Sequence, residues 1–133
     1  MRAHSSFDYA LIRVVPRVER GECLNAGVIV FCRTRRFLAA AVELDVGRLL
    51  ALDPHADRDD IARHLATIPR IAAGEADAGP IARLSQAERF HWLVSPSSVI
   101  VQSSPVHSGL CTDPAAALDH LMATMVRLPV EGV

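Results

Sequence analysis

The sequence predicts an α+β domain: an antiparallel sheet of about four strands, an N-terminal three-strand meander plus one later strand, with helices packed on one face. Three observations predict it. Residues 7–44 hold three apolar, partly β-branched runs joined by short polar links. From Asp45 onward, apolar residues recur at helical spacing behind Asp and Ser caps. A further apolar run near residue 100 then precedes one last capped helix. There is no internal repeat and no low-complexity stretch, so residues 1–133 read as one domain, long enough to close a core.

Phe7 to Val15 is apolar on both faces: Phe7, Tyr9, Leu11, Arg13 and Val15 alternate with Asp8, Ala10, Ile12 and Val14. Pro16 ends regular pairing there. A polar connection from Arg17 to Asn25 turns at Gly21. The second strand is Ala26 to Cys32 and the third Phe37 to Leu44, joined by Arg33-Thr34-Arg35-Arg36. Links this short make an antiparallel meander. Asp45 caps a short helix through Leu52, which Asp53-Pro54 stops. Asp57 caps the next, with Asp59 and Asp60 favourably placed in its first turn and Ile61, Leu65 and Ile68 as its stripe. Pro69 is expected to end or kink it, and residues 74–79 form a small-residue linker. Ser85 and Glu88 make a capping box before Phe90, Leu93 and Val94. Because Phe90, Trp92 and Val94 also alternate, a strand over residues 85–94 is a rival. After Ser95-Pro96-Ser97-Ser98, Val99 to Gln102 is the fourth strand and Ser103 to Thr112 a loop. Asp113 and Pro114 then open a helix buried through Leu118, Leu121, Met122 and Met125.

Composition narrows the function classes. The net charge is -1 with only six aromatic residues, which argues against nucleic acid as a partner, since neither a basic field nor stacking platforms are present. No apolar run approaches a membrane span, and the stretch from Met1 to Ser6 has no signal-peptide core, so no membrane partner and a cytoplasmic location are expected. Three cysteines without close pairing read as reduced thiols. All fourteen basic residues are arginine, which the codon bias of a GC-rich bacterial genome explains; each is still a planar fork for a carboxylate or phosphate.

Two segments could carry chemistry. Within Arg17 to Asn25, the residues Arg17, Glu19, Arg20, Glu22 and Asn25 set cations, anions and an amide in one turn. Such a loop can grip an anionic ligand and offer a carboxylate as acid or base; its bland reading is a salt-bridged hairpin fixed by Gly21. Arg13 lies on an apolar strand face, where Glu22 or Glu43 would be its ion-pair partner. The second segment runs from Gln102 to Gly109. There His107 could activate Ser103, Ser104 or Ser108, or the hydroxyls could simply satisfy backbone groups. No triad spacing, nucleophile elbow, metal-ligand spacing or dinucleotide fingerprint occurs, so metal and cofactor are both expected to be none.

Tyr9 to Val28 reads YALIRVVPRVERGECLNAGV. It resembles the opening signature, YA-x-x-RVVPR-x-ERGE-x-x-N-x-GV, of a bacterial family defined as a domain of unknown function. The tail is similar to that family too, through Glu88 to Leu93 and the SPVHSG-like run Ser103 to Gly109. Cys23 stands where the family more often has an aromatic, so no cysteine-based role follows. The resemblance implies an accessory role, through association with kinase-like proteins of the HipA type. It also implies that the two segments meet in space.

The sequence therefore predicts a binding or accessory protein that recognises a protein partner or an anionic small ligand through the Arg17–Asn25 loop. Candidate residues are Arg13, Arg17, Glu19, Arg20, Glu22, Asn25, His91, Ser104 and His107. The alternative is a small hydrolytic or phosphate-handling enzyme with His107 or Glu22 as base and arginines stabilising charge.

Overall fold

The computed structural model describes residues 3–96 and 99–129; Met1-Arg2 and the Ser97-Ser98 part of the expected turn lie outside the described residues. The N-terminal meander forms as the apolar runs predict: β1 (Ser5–Val14), β2 (Leu24–Cys32) and β3 (Phe37–Val42) pair antiparallel in succession. The β2–β3 hairpin closes on Arg33 to Arg36, with Arg36 at φ 51 and its N–H donated to the Arg33 carbonyl. Against β1, β2 carries an irregularity at Ala26, so Ile12 faces Gly27 while Arg13 faces Asn25. Gly27 is required there: a Cβ would lie 2.5 Å from the Ala41 carbonyl oxygen.

The helices start where their caps place them. Asp45 accepts the Arg48 N–H at the head of α1 (Val46–Leu52), and Asp57 accepts that of Asp60 at the head of α2 (Arg58–Ala73). Ser85 accepts the Glu88 N–H at the head of α3 (Gln86–Leu93), which settles residues 85–94 as helix rather than strand. Asp113 accepts the Ala115 N–H at the head of α4 (Pro114–Leu121). Pro69 does not end α2, which runs on to Ala73 and stops at Gly74 with φ 72; only one ladder donor is missing. After α4 the chain widens into a π turn, Met122–Val126, closed by the Arg127 N–H on the Met122 carbonyl. The extra residue in that turn moves Val126 into the core and leaves Met125, expected to be buried, exposed.

The sheet has five strands rather than four, in the order β3-β2-β1-β4 with β5 also on β1. β4 (Val101–Ser103) begins two residues later than expected and pairs with Ile12 to Val14. β5 (His107–Cys111), expected to be loop, pairs with Ser5 to Tyr9. Its serine and glycine carry little strand propensity, and the bare edge of β1 supplies the pairing. The helices also cover both faces, not one. Ile12, Val14, Ile29 and Phe31 pack with α1 to α3, whereas Phe7, Leu11, Val28 and Val30 pack with α4 and the π turn. The cause is already in the strands: both faces of β1 and β2 are apolar, so each needs its own cover.

Candidate functional site

The Arg17–Asn25 connection folds locally. Val18–Arg20 makes one 3-10 turn, and Gly21 at φ 71 ends it with its N–H on the Val18 carbonyl. Its charges then find partners close by. Arg17 Nη2 lies 3.6 Å from Oδ1 of Asp53, a buried carboxylate that also accepts the His55 N–H. Arg20 Nε donates to Glu22 Oε1, and this bond raises the Arg20 pKa. Glu19 is exposed and forms no ion pair among the described residues. Asn25, half-buried on β2, donates Nδ2 to the Met125 carbonyl at 3.0 Å, tying the loop's end to the π turn.

Arg13 does not have the partners the sequence suggests. Glu22 bonds Arg20, Glu43 bonds Arg127, and Arg13 forms no ion pair among the described residues. It is half-buried between Asn25 of β2 and Gln102 of β4, with Nε enclosed and unpartnered.

In the second segment Ser104 follows the blander of the two expectations, a hydroxyl that satisfies backbone groups, and the groups belong to β1. Between β4 and β5 the chain steps away from β1, which would strand the Leu11 amide. Ser104, 2% exposed, fills the gap: its Oγ accepts the Leu11 N–H at 2.8 Å, and its own N–H donates to the Leu11 carbonyl at 2.8 Å. The hydroxyl thus satisfies β1 and presents no face to a ligand. His107 is exposed opposite Tyr9, with the two rings 5.4 Å apart. His91 is exposed on α3, with Nδ1 3.2 Å from the Ala87 carbonyl. The two motif segments flank the same strand without sharing a pocket. The charged loop lies beyond Val14, and His107 stands five residues back along β1, roughly 17 Å at ~3.4 Å per residue.

The concave surface lies away from the loop's ion pairs and from His107, although Trp92 and Leu93 of the Glu88–Leu93 motif and Ser103 of the second segment line it. A cavity of about 320 Å³ opens between α2, α3 and β4, lined by Ile12, Ile68, Trp92, Leu93 and Val101, with His64 and Ser103 at its polar side. A second hollow adjoins it through His64, Val99 and Val101 and reaches Val18 of the charged loop. Trp92 is 51% exposed, Val18 44% and Ile100 40%, so large apolar side chains rim both hollows. Two signals for this existed in the sequence: an isolated valine inside the arginine-glutamate loop, and the chain's one tryptophan on the face of α3 opposite buried Phe90. Among the described residues, no cluster of three or more His, Cys, Asp or Glu gathers as a metal site.

An open antiparallel sheet with helices on both faces and an apolar groove beside a charged turn defines a small α+β domain. The chain belongs to the family described as a protein of unknown function, DUF3037, which matches residues 9–126. The match begins at Tyr9, where the opening motif begins, and ends at Val126, the last residue of the π turn. No curated protein and no solved structure matches the chain.

Proposed function

We propose that the chain is a non-catalytic accessory protein of the bacterial cytoplasm that docks a protein partner in the α2–α3–β4 groove, with the Arg17–Asn25 loop as its charged rim. The observation that carries this reading is the grouping of exposed Trp92, Val18 and Ile100 around two adjoining hollows. Apolar anchors surrounded by charge are the anatomy of a protein interface, and tryptophan is the side chain most often dominant in one. Arg17, Arg20 and Glu22 are held by ion pairs at the rim, where charge sets orientation and association rate more than affinity.

The enzyme alternative finds less support. Glu22 is engaged by Arg20, His107 faces Tyr9, and neither lines the groove. An anionic small ligand keeps one specific observation in its favour, the unpartnered Nε of half-buried Arg13.

A kinase-like protein of the HipA type is the first partner to test. Its binding is measured by calorimetry against wild type, Trp92→Ala, Val18→Asp and the Arg17→Ala/Arg20→Ala pair. We expect Trp92→Ala and Val18→Asp each to weaken binding at least roughly tenfold, and the arginine pair mainly to slow association. Should pull-downs from the native host return the same partners for wild type and all variants, the groove is not the docking surface.

A further inference from the structure

Both hydrophobic cores stop short at the same place. Of the six residues of β3 only Leu38 is buried. Ala40 and Val42 are partly buried against the core under α1 to α3; Phe37, Ala39 and Ala41 are partly buried against the core under α4. β3 is the end strand of the sheet, and the Glu43 N–H bonds the Ala26 carbonyl of β2. Alternation along an antiparallel ladder then turns the amides of Phe37, Ala39 and Ala41 toward β2, and those of Leu38, Ala40 and Val42 outward. No described residue bonds these outward groups.

The two edges of the sheet differ in protection. On the far side, the strand edge is broken into β4 and β5, of three and five residues, with Pro105 between them. Short strands and proline are how proteins blunt an edge. β3, Phe-Leu-Ala-Ala-Ala-Val, has no charge, proline or bulge, and its small side chains leave the backbone open. Its two ends carry opposite charge: Arg33, Arg35 and Arg36 precede it, and Glu43 and Asp45 follow it. Arg36 is exposed and forms no ion pair among the described residues.

We infer that β3 is a self-association edge that takes a second copy of this chain. The two β3 strands pair antiparallel about a twofold axis at Ala40, extending the sheet through both subunits. This direction sets the basic end of one strand beside the acidic end of its partner, whereas parallel pairing would set like charge beside like. It pairs the outward amides of Leu38, Ala40 and Val42, and it closes both cores at once. The surface is separate from the α2–α3–β4 groove, so the inference stands independently of the proposed partner.

The test is sedimentation of wild type, Ala40→Pro and Arg36→Glu across a wide concentration range, with hydrogen exchange read at single amides. Ala40→Pro removes an outward N–H and leaves the bonds to β2 in place. Wild type should reach twice the chain's 14.4 kDa, with slow exchange at Leu38, Ala40 and Val42. Folded Ala40→Pro should stay monomeric with fast exchange at Leu38 and Val42. Arg36→Glu should dissociate roughly fivefold more readily, and this variant decides the matter if Ala40→Pro fails to fold. Three results would overturn the inference: a wild type monomeric throughout, a dimer whose Leu38 and Val42 amides exchange fast, or an Arg36→Glu dimer as tight as wild type.

Discussion

Ser104 shows how one hydroxyl can decide whether a sheet edge closes. It bridges a break in pairing by accepting the Leu11 amide, a partner 93 residues away in the chain. Removing the hydroxyl leaves a buried N–H without an acceptor, so Ser104→Ala should lower unfolding stability by about 1–3 kcal/mol. Urea denaturation of the variant checks this, and a loss indistinguishable from zero would mean that water or another oxygen fills the gap. In the sequence, Ser104 is one of three similar serines around His107, and nothing local shows that its partner is the Leu11 amide. The same limit applies to Arg13. Its position on an apolar strand face was legible, but Glu22 and Glu43 are held by other arginines that only the fold brings near. Gly27 was readable as a strand glycine, while the Ala41 carbonyl that forbids a Cβ there belongs to the next strand.

Elements set by local chemistry were legible, and elements set by distant partners were not. Asp45, Asp57, Ser85 and Asp113 each cap a helix within three residues of themselves, so all four starts were placed from sequence. β5 is the opposite case: His-Ser-Gly-Leu-Cys becomes a strand because β1 offers it an unpaired edge. The exit from α4 departs from the helical spacing of the sequence because a π turn shifts the phase, exchanging Met125 for Val126 in the core. The caps give a direct prediction. Asp113→Ala should cost about 1 kcal/mol through the lost bond to the Ala115 amide, measured as a shift in the denaturation midpoint. That helix roofs the second core, so a larger loss would mean that the cap also fixes how α4 sits on the sheet.

At the scale of the whole molecule, the α+β class followed from the order of apolar runs, but the number of layers did not. A strand apolar on both faces states that two covers exist without saying which helices supply them. The candidate site divides the same way. The charged turn was visible as a string of charges, whereas the groove beside it joins residues from α2, α3 and β4 that no single stretch contains. The arginine hairpin is also less free than its composition suggests. Arg33 lies over the Phe31 ring at 5.4 Å, and Arg35 bonds Ser5 and Ala3. With a net charge of -1, the molecule should show no salt-dependent retention of duplex or single-stranded DNA. A gel-shift series in rising salt checks this; binding that falls steeply with salt would make the Arg33–Arg36 hairpin a nucleic-acid surface.

β1 lies at the middle of the sheet yet near the front of the chain, and its outer neighbours come from residues 101–111. A ribosome therefore releases the central strand long before it makes the segments that shield one of its edges. Until then the nascent domain carries an open template along its central strand, and non-local closure of this kind is slow. Shortening the chain from its far end would accordingly harm the centre of the structure before its periphery, and stalled or clipped chains would be the form most prone to aggregate.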